Sequence, residues 1–350
     1  MFLLILSVLH TVLAFLGIIF NAIFVYLTVF YSPKSIGTFS ILLTVRGWVD
    51  GFACLFDIFS QSRPIPSGLT LGIASTGICK YLNDWSCFLG YGLQLHFHSF
   101  SFHLLILCFL FRYYVLLERY PKSKQLIFII VLIYFPSFFQ VLFVLIDNNK
   151  PEDVRLLVQI HHPDYQLKDV VVNGHVDLRD FPCLFSYLLM LIPIIPGCIL
   201  IHVLRRKIHS KLRNAILRPE IREKHRQLTL ALTVQTVIPV AFVFSTISFL
   251  LSQTKLIESP VMESFTLLFA VIVPVINPLL SIALIKPYRD TVMRAVGLDP
   301  KEWQFMSRDC SVAPGDASSS MFGSFDNSSV ASVTSMTSKF TMTQEINPFE

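Results

Sequence analysis

Charge is what this sequence most lacks. Of 350 residues only 15% are Asp, Glu, Lys or Arg, while 53% are hydrophobic and 32 are Phe, a balance far from that of a water-soluble domain. N-glycosylation acceptors are nearly absent too, the lone Asn-x-Ser/Thr match being Asn327-Ser328-Ser329 near the end of the chain. The first apolar run has no basic segment ahead of it and no small-residue cleavage site, so a removed leader is not expected. Repeated halves with helices broken at matching positions are also missing, which argues against the architecture of many transporters.

What the chain has instead is seven long apolar runs, at about 2–31, 39–59, 86–111, 126–146, 184–204, 228–251 and 261–285. Each is close to or above the ~20 residues a helix needs to cross ~30 Å of hydrocarbon. The expected fold is all-α, a seven-helix transmembrane bundle over 1–295 followed by a Ser/Thr-rich disordered tail over 296–350. Lys and Arg divide unevenly between the two sides, with twenty on the side of the C-terminus, seven on the other, and Arg46 inside the second run. Because basic short loops stay cytoplasmic, this predicts an extracellular N-terminus and a cytoplasmic C-terminus. The net charge of +5 therefore reports topology and the attraction of anionic lipid headgroups, with no nucleic-acid partner implied. With almost no residues before the first run, a ligand has to be caught by the bundle and its outer loops, which favours a small molecule.

Polar residues within the runs need a reason, since lipid penalises them. Asn21, Asp50 and Asn277-Pro278 lie in the first, second and seventh runs, and they either glue helices together or form a switch. Arg46 stands one turn before Asp50, where an ion pair along the helix would ease burial. His96 and His103 share a face of the third helix with Ser99 between them, while His98 is turned away; they are pocket candidates or helix-to-helix partners. No metal site is expected, because that face has no carboxylate or Cys beside it. Asp50 and Asp57 share a face of the second helix, but no acid on another helix partners them, so an intramembrane enzyme is not indicated. Cys79, Cys87 and Cys183 fall on the outer, oxidising side, leaving one thiol odd. The outer loop 147–182 carries Val170-Val171-Val172-Asn173-Gly174-His175-Val176, a candidate hairpin with an Asn-Gly turn.

Seven helices with an outer N-terminus and a basic third inner loop resemble the G-protein-coupled receptors, and the motifs refine the likeness. Phe111-Arg112-Tyr113 resembles the Asp-Arg-Tyr motif of rhodopsin-like members, with Phe in place of the acid. Asn21, Asp50 and Asn277-Pro278 match their activation network. That resemblance implies a role for Arg112 and Tyr113 in G-protein coupling and a Cys87–Cys183 disulfide, with Cys79 as a competing partner. A retinal-binding opsin is excluded, because 261–285 contains no Lys, and the charge count opposes a seven-helix channel with an inner N-terminus. Leu232-x-x-Gln235-x-x-x-Pro239, Asn277-Pro278-Leu279-Leu280-Ser281, Lys286-Pro287-Tyr288-Arg289 and Arg112-Tyr113-Tyr114 together resemble the nematode serpentine chemoreceptors, most of all class delta. That resemblance implies a receptor for a small external ligand, coupled to a heterotrimeric G protein, with no cofactor, in the plasma membrane of sensory neuron cilia. The residues themselves add a hinge, where Pro239 four residues after Gln235 kinks the sixth helix, and arrestin-type partners at the Ser/Thr clusters of the tail. A transporter or channel is the alternative.

Overall fold

The computed structural model describes residues 2–298 apart from 33–36, 118, 120, 148 and 215–237. Gln235, the first part of the sixth apolar run and all of the tail after 298 lie outside the described residues. In chain order the elements are α1 (Phe2–Phe30), α2 (Phe39–Ser60), β1 (Ser62–Ser67), β2 (Thr70–Ser75), α3 (Asp84–Leu116), α4 (Ser123–Ile146), α5 (Pro151–His161), β3 (Val171–His175), α6 (Phe181–Leu191), α7 (Ile194–Asn214), α8 (Ile238–Gln253), α9 (Pro260–Leu284) and α10 (Lys286–Ala295).

Six helical stretches are long and apolar enough to cross a membrane: α1, α2, α3, α4, α6 continued by α7, and α9; α8 is apolar but shorter within the described residues. Together they make the seven-helix bundle that the apolar runs predict. Leu4, Val8, Phe15, Phe128, Leu132 and Phe139 are exposed on α1 and α4, an apolar belt that suits hydrocarbon and not water. The fifth run, expected as one helix over 184–204, breaks between α6 and α7. Pro193, which lacks an N–H and clashes with the preceding turn, sits at that break.

α3 runs through the bundle centre for 33 residues, about 50 Å. Its start is fixed by the Asn83 side chain, which accepts a 2.7 Å hydrogen bond from Ser86 N and so satisfies one of the free N–H groups of the first turn. Small residues let helices close up elsewhere. A Cβ on Gly17 would lie 2.4 Å from Cys54 Sγ and 3.0 Å from Val275 Cγ2, where α1 meets α2 and α9.

One end of the bundle carries a feature the helical reading does not contain, a three-stranded antiparallel sheet in the order β1-β2-β3. Leu71 and Ile73 pack on Phe88, Tyr91 and Tyr187 of the bundle, while Ile65, Ala74 and Val172 pack with Val154 and Val158 of α5. The sheet is therefore covered on both faces. The expected hairpin in 170–176 is a single strand instead, for Asn173 and Gly174 lie mid-strand, paired with Ile73 and Gly72. Gly174 has φ 142°, and a Cβ there would lie 2.0 Å from Leu71 O. Glycine is needed for close pairing, and no turn is made. Gly174→Ala is accordingly expected to lower stability by about 1–3 kcal/mol, seen as a fall in the thermal unfolding midpoint of the purified chain.

Candidate functional site

Beneath the sheet lies a cavity of about 230 Å³ in which polar groups, among them Ser7, His10, Gln61, Arg63, Gln166 and Ser264, share the lining with Leu6, Ala74, Val170 and Leu268. Gln61 Nε2 ties two walls together by donating to Ser7 O at 2.9 Å and to Thr11 Oγ1 at 2.9 Å. Arg63 Nη1 lies 3.4 Å from Glu263 Oε2, and Tyr165 OH donates to Glu263 Oε1 at 3.0 Å. Burial, then the neighbouring Glu263 carboxylate, raise the Tyr165 phenol above its ordinary value, so it keeps its proton as a donor at neutral pH.

His10 leads from this cavity into the bundle. Its Nε2 lies 3.4 Å from Asp57 Oδ1 on α2, while His98 Nε2 of α3 lies 3.2 Å from Asp57 Oδ2. Gln94 Nε2 also donates to Asp57 Oδ1, and Ser60 Oγ donates to Gln94 Oε1 at 2.9 Å. Asp57, Gln94 and His98 are buried throughout. A buried carboxylate is tolerable only when compensated, and here the compensation comes from one amide and two imidazoles that carry charge only when protonated. Sequence spacing turns His98 away from the face shared by His96 and His103, and of these three it is His98 that joins this cluster. His96 instead turns among aromatic rings, 5.2 Å from Tyr134 of α4 and 4.9 Å from Phe97. His103 Nδ1 pairs with Ser99 O at 2.7 Å within its own helix. None of His96, Ser99 and His103 lines the cavity.

Two turns further along α2, Asp50 forms a second polar centre. Ser101 Oγ donates to its Oδ1, Asn277 Nδ2 donates to its Oδ2 at 2.9 Å, and Arg46 Nε stands 3.8 Å away. Asn21 does not reach Asp50. Its Nδ2 donates to Pro274 O at 2.8 Å and to Gly17 O at 2.9 Å. Pro278 has no N–H for the carbonyl four residues earlier, so Asn21 fills the vacancy that Pro278 opens at Pro274. The three helices expected to meet do meet, through two separate contacts. Of the sixth-helix pair, Pro239 is within α8, one residue after the first that is described.

At the end opposite the sheet, Arg112 is buried with its guanidinium 5.0 Å from the ring centroid of Phe39. Phe39 is in turn stacked at 5.1 Å on Phe111, the residue that replaces the acid. A cation–π contact thus holds the arginine where an ion pair is missing. Arg112 Nε and Nη1 have no hydrogen-bond partner among the described residues. Tyr113, next along α3, has Lys207 Nζ 5.9 Å from its ring centroid.

The disulfide expectation is corrected. Cys87 is bonded to Cys79, with Cα atoms 4.9 Å apart. The 3₁₀ turn Ile78–Tyr81 brings Cys79 back against the first turn of α3, within the span a bridge allows. Cys183 is left as a buried free thiol.

A bundle of this form is a seven-transmembrane-helix architecture, and comparison with solved structures agrees on the fold. The crystal structure of squid rhodopsin superposes with a TM-score of 0.52, covering 89% of this chain and 91% of that one at 13% identity. Residues 6–294 match the model of the serpentine type 7TM GPCR chemoreceptor Srd. Among its relatives, serpentine receptor class delta-18 of Caenorhabditis elegans is 30% identical over 82% of this chain and 87% of its own length. Serpentine receptor class delta-1 of the same animal is 28% identical over 80% of this chain and 78% of its own. The chain therefore belongs to the Srd family of seven-transmembrane chemoreceptors, a multi-pass membrane receptor family.

Proposed function

We propose that this receptor binds a small polar molecule in the cavity beneath the sheet and passes the event to a heterotrimeric G protein at the Arg112 end. The sheet end then faces outward, in keeping with the bias of Lys and Arg toward the opposite side. The observation that carries this reading is the continuity of buried polar groups: His10 at the cavity, Asp57 and His98 behind it, then Asp50 further along α2 with Asn277 of α9 bonded to it. A ligand that hydrogen-bonds His10 alters the compensation of Asp57, and α2 and α3 carry both polar centres. The freed carbonyl at Pro274 and the proline at 239 give α8 and α9 places to bend, and Arg112, held against the face of the Phe39 ring, is the group released to the G protein. Plasma-membrane residence in sensory cilia, and arrestin-type binding after phosphorylation of the Ser/Thr-rich tail, belong to the same proposal.

The test is ligand-driven nucleotide exchange on Gα by receptor in lipid nanodiscs, with odorant and pheromone-like compounds screened for activity. For a hit, His10→Ala and Gln61→Leu should each raise the half-maximal concentration at least about tenfold, the worth of one hydrogen bond to a polar ligand. A hit whose potency is unmoved by both places the ligand elsewhere and overturns the cavity assignment.

A further inference from the structure

Cys183 remains a thiol on the side where cysteines are expected to oxidise, and its surroundings offer a reason. One ligand atom each from Asp147, His175 and Cys183 lie within 4.8 Å of one another. They come from three separate elements: the residue that closes α4, the last residue of β3, and the first turn of α6. His175 and Cys183 are fully buried. His175 Nδ1 and Asp147 Oδ2 are 2.7 Å apart, and His175 Nε2 has no hydrogen-bond partner among the described residues. Packing alone gives little reason to gather a carboxylate, an imidazole and a thiol in one buried place, because a thiol is a weak hydrogen-bond partner and leaves the imidazole incompletely satisfied.

We propose that Asp147, His175 and Cys183 bind one divalent transition-metal ion of the zinc type. Sulfur, nitrogen and oxygen donors together suit a borderline-soft ion and not calcium or magnesium, which take oxygen alone. Zinc bonds of about 2.0–2.3 Å put tetrahedral donor atoms roughly 3.5 Å apart, so donors that lie within 4.8 Å of one another need only modest movement, the 2.7 Å pair of Asp147 and His175 opening to admit the ion. Binding requires the thiolate, and the thiol proton leaves to solvent as the sulfur–metal bond forms, which makes affinity rise with pH. Three protein ligands leave a fourth position for water or an external donor. The ion joins β3 to the ends of α4 and α6. Its imidazole ligand packs 5.9 Å from the Tyr187 ring, whose hydroxyl is 3.0 Å from that of Tyr91 on α3. Metal occupancy therefore sets the stiffness of the cover over the bundle.

Cobalt(II) is the probe. Titrated into the purified full-length receptor with the Cys79–Cys87 bond intact, it should give a thiolate-to-cobalt charge-transfer absorption at one ion per chain, abolished by equimolar zinc. Cys183→Ser should lose that absorption, Cys198→Ser should keep it, and His175→Ala should weaken cobalt binding by at least about tenfold. The wild-type chain alone suffices to overturn the proposal, whatever the variants do to folding. No charge-transfer absorption, or peptide mapping that finds Cys183 in a disulfide, rejects it. An absorption that persists in a folded Cys183→Ser receptor rejects it equally.

Discussion

Asp50→Ala should destabilise the receptor by about 3–5 kcal/mol, because it leaves the Arg46 guanidinium, itself only 3% exposed, as a buried charge without its counter-ion. The same change strips Ser101 Oγ and Asn277 Nδ2 of their acceptor. A fall of this size in the unfolding midpoint of detergent-solubilised receptor is the expected reading. Pairing the change with Arg46→Met separates charge from packing: if the uncompensated cation is responsible, the double variant recovers most of the loss, since apolar residues of similar volume often replace a buried ion pair with little penalty. A double variant no more stable than Asp50→Ala would refute the ion-pair account and shift the weight to the hydrogen bonds.

Arg112→Ala is expected to abolish G-protein activation, with at least about a hundredfold loss of ligand-driven exchange while surface expression persists. Among the described residues Arg112 has no ion pair, and it touches the face of the Phe39 ring, so removing it takes away a modest contact, about 0.5–2 kcal/mol. Folding therefore survives while the buried cation to which coupling is ascribed is lost. Phe39→Leu gives the complementary result, a raised basal exchange without ligand, because it loosens the arginine and leaves it in place. Undiminished signalling by Arg112→Ala would take the coupling role away from this position.

Much of this architecture is legible in the sequence because lipid makes the rule simple: backbone must be satisfied within the segment, so long apolar runs become helices. The polar centre at Asp50 is legible for the same reason, since Asn21, Asp50 and Asn277 stand out against Leu, Ile and Phe. What could not be read is which partner each takes. Asn21 spends its donor on the carbonyl that Pro278 vacates, a contact only the folded bend creates. The Asp57 cluster escapes a search for acid pairs because the partners of the carboxylate are bases, His10 and His98, on other helices. An ionisable residue inside each of those apolar runs was the available signal. The sheet is harder. β1 contains Pro64 and Pro66, which demote a strand pattern, yet β1 is an edge strand and tolerates residues without an N–H. Gly68-Leu69 between two short runs, with Gly68 at φ 72° and Ser67 paired to Thr70, was the usable hairpin mark.

The contact between Asn21 and Pro274 also bears on how the chain is made. Synthesis delivers α1 to the bilayer first and α9 last, so the amide that completes the seventh span is in place before the unpaired carbonyl arrives. Late insertion of that interrupted helix is thereby favoured only beside α1. The first span thus carries the hydrogen-bond donor that the last one lacks, and the ring of helices closes where the two ends of the bundle sequence meet.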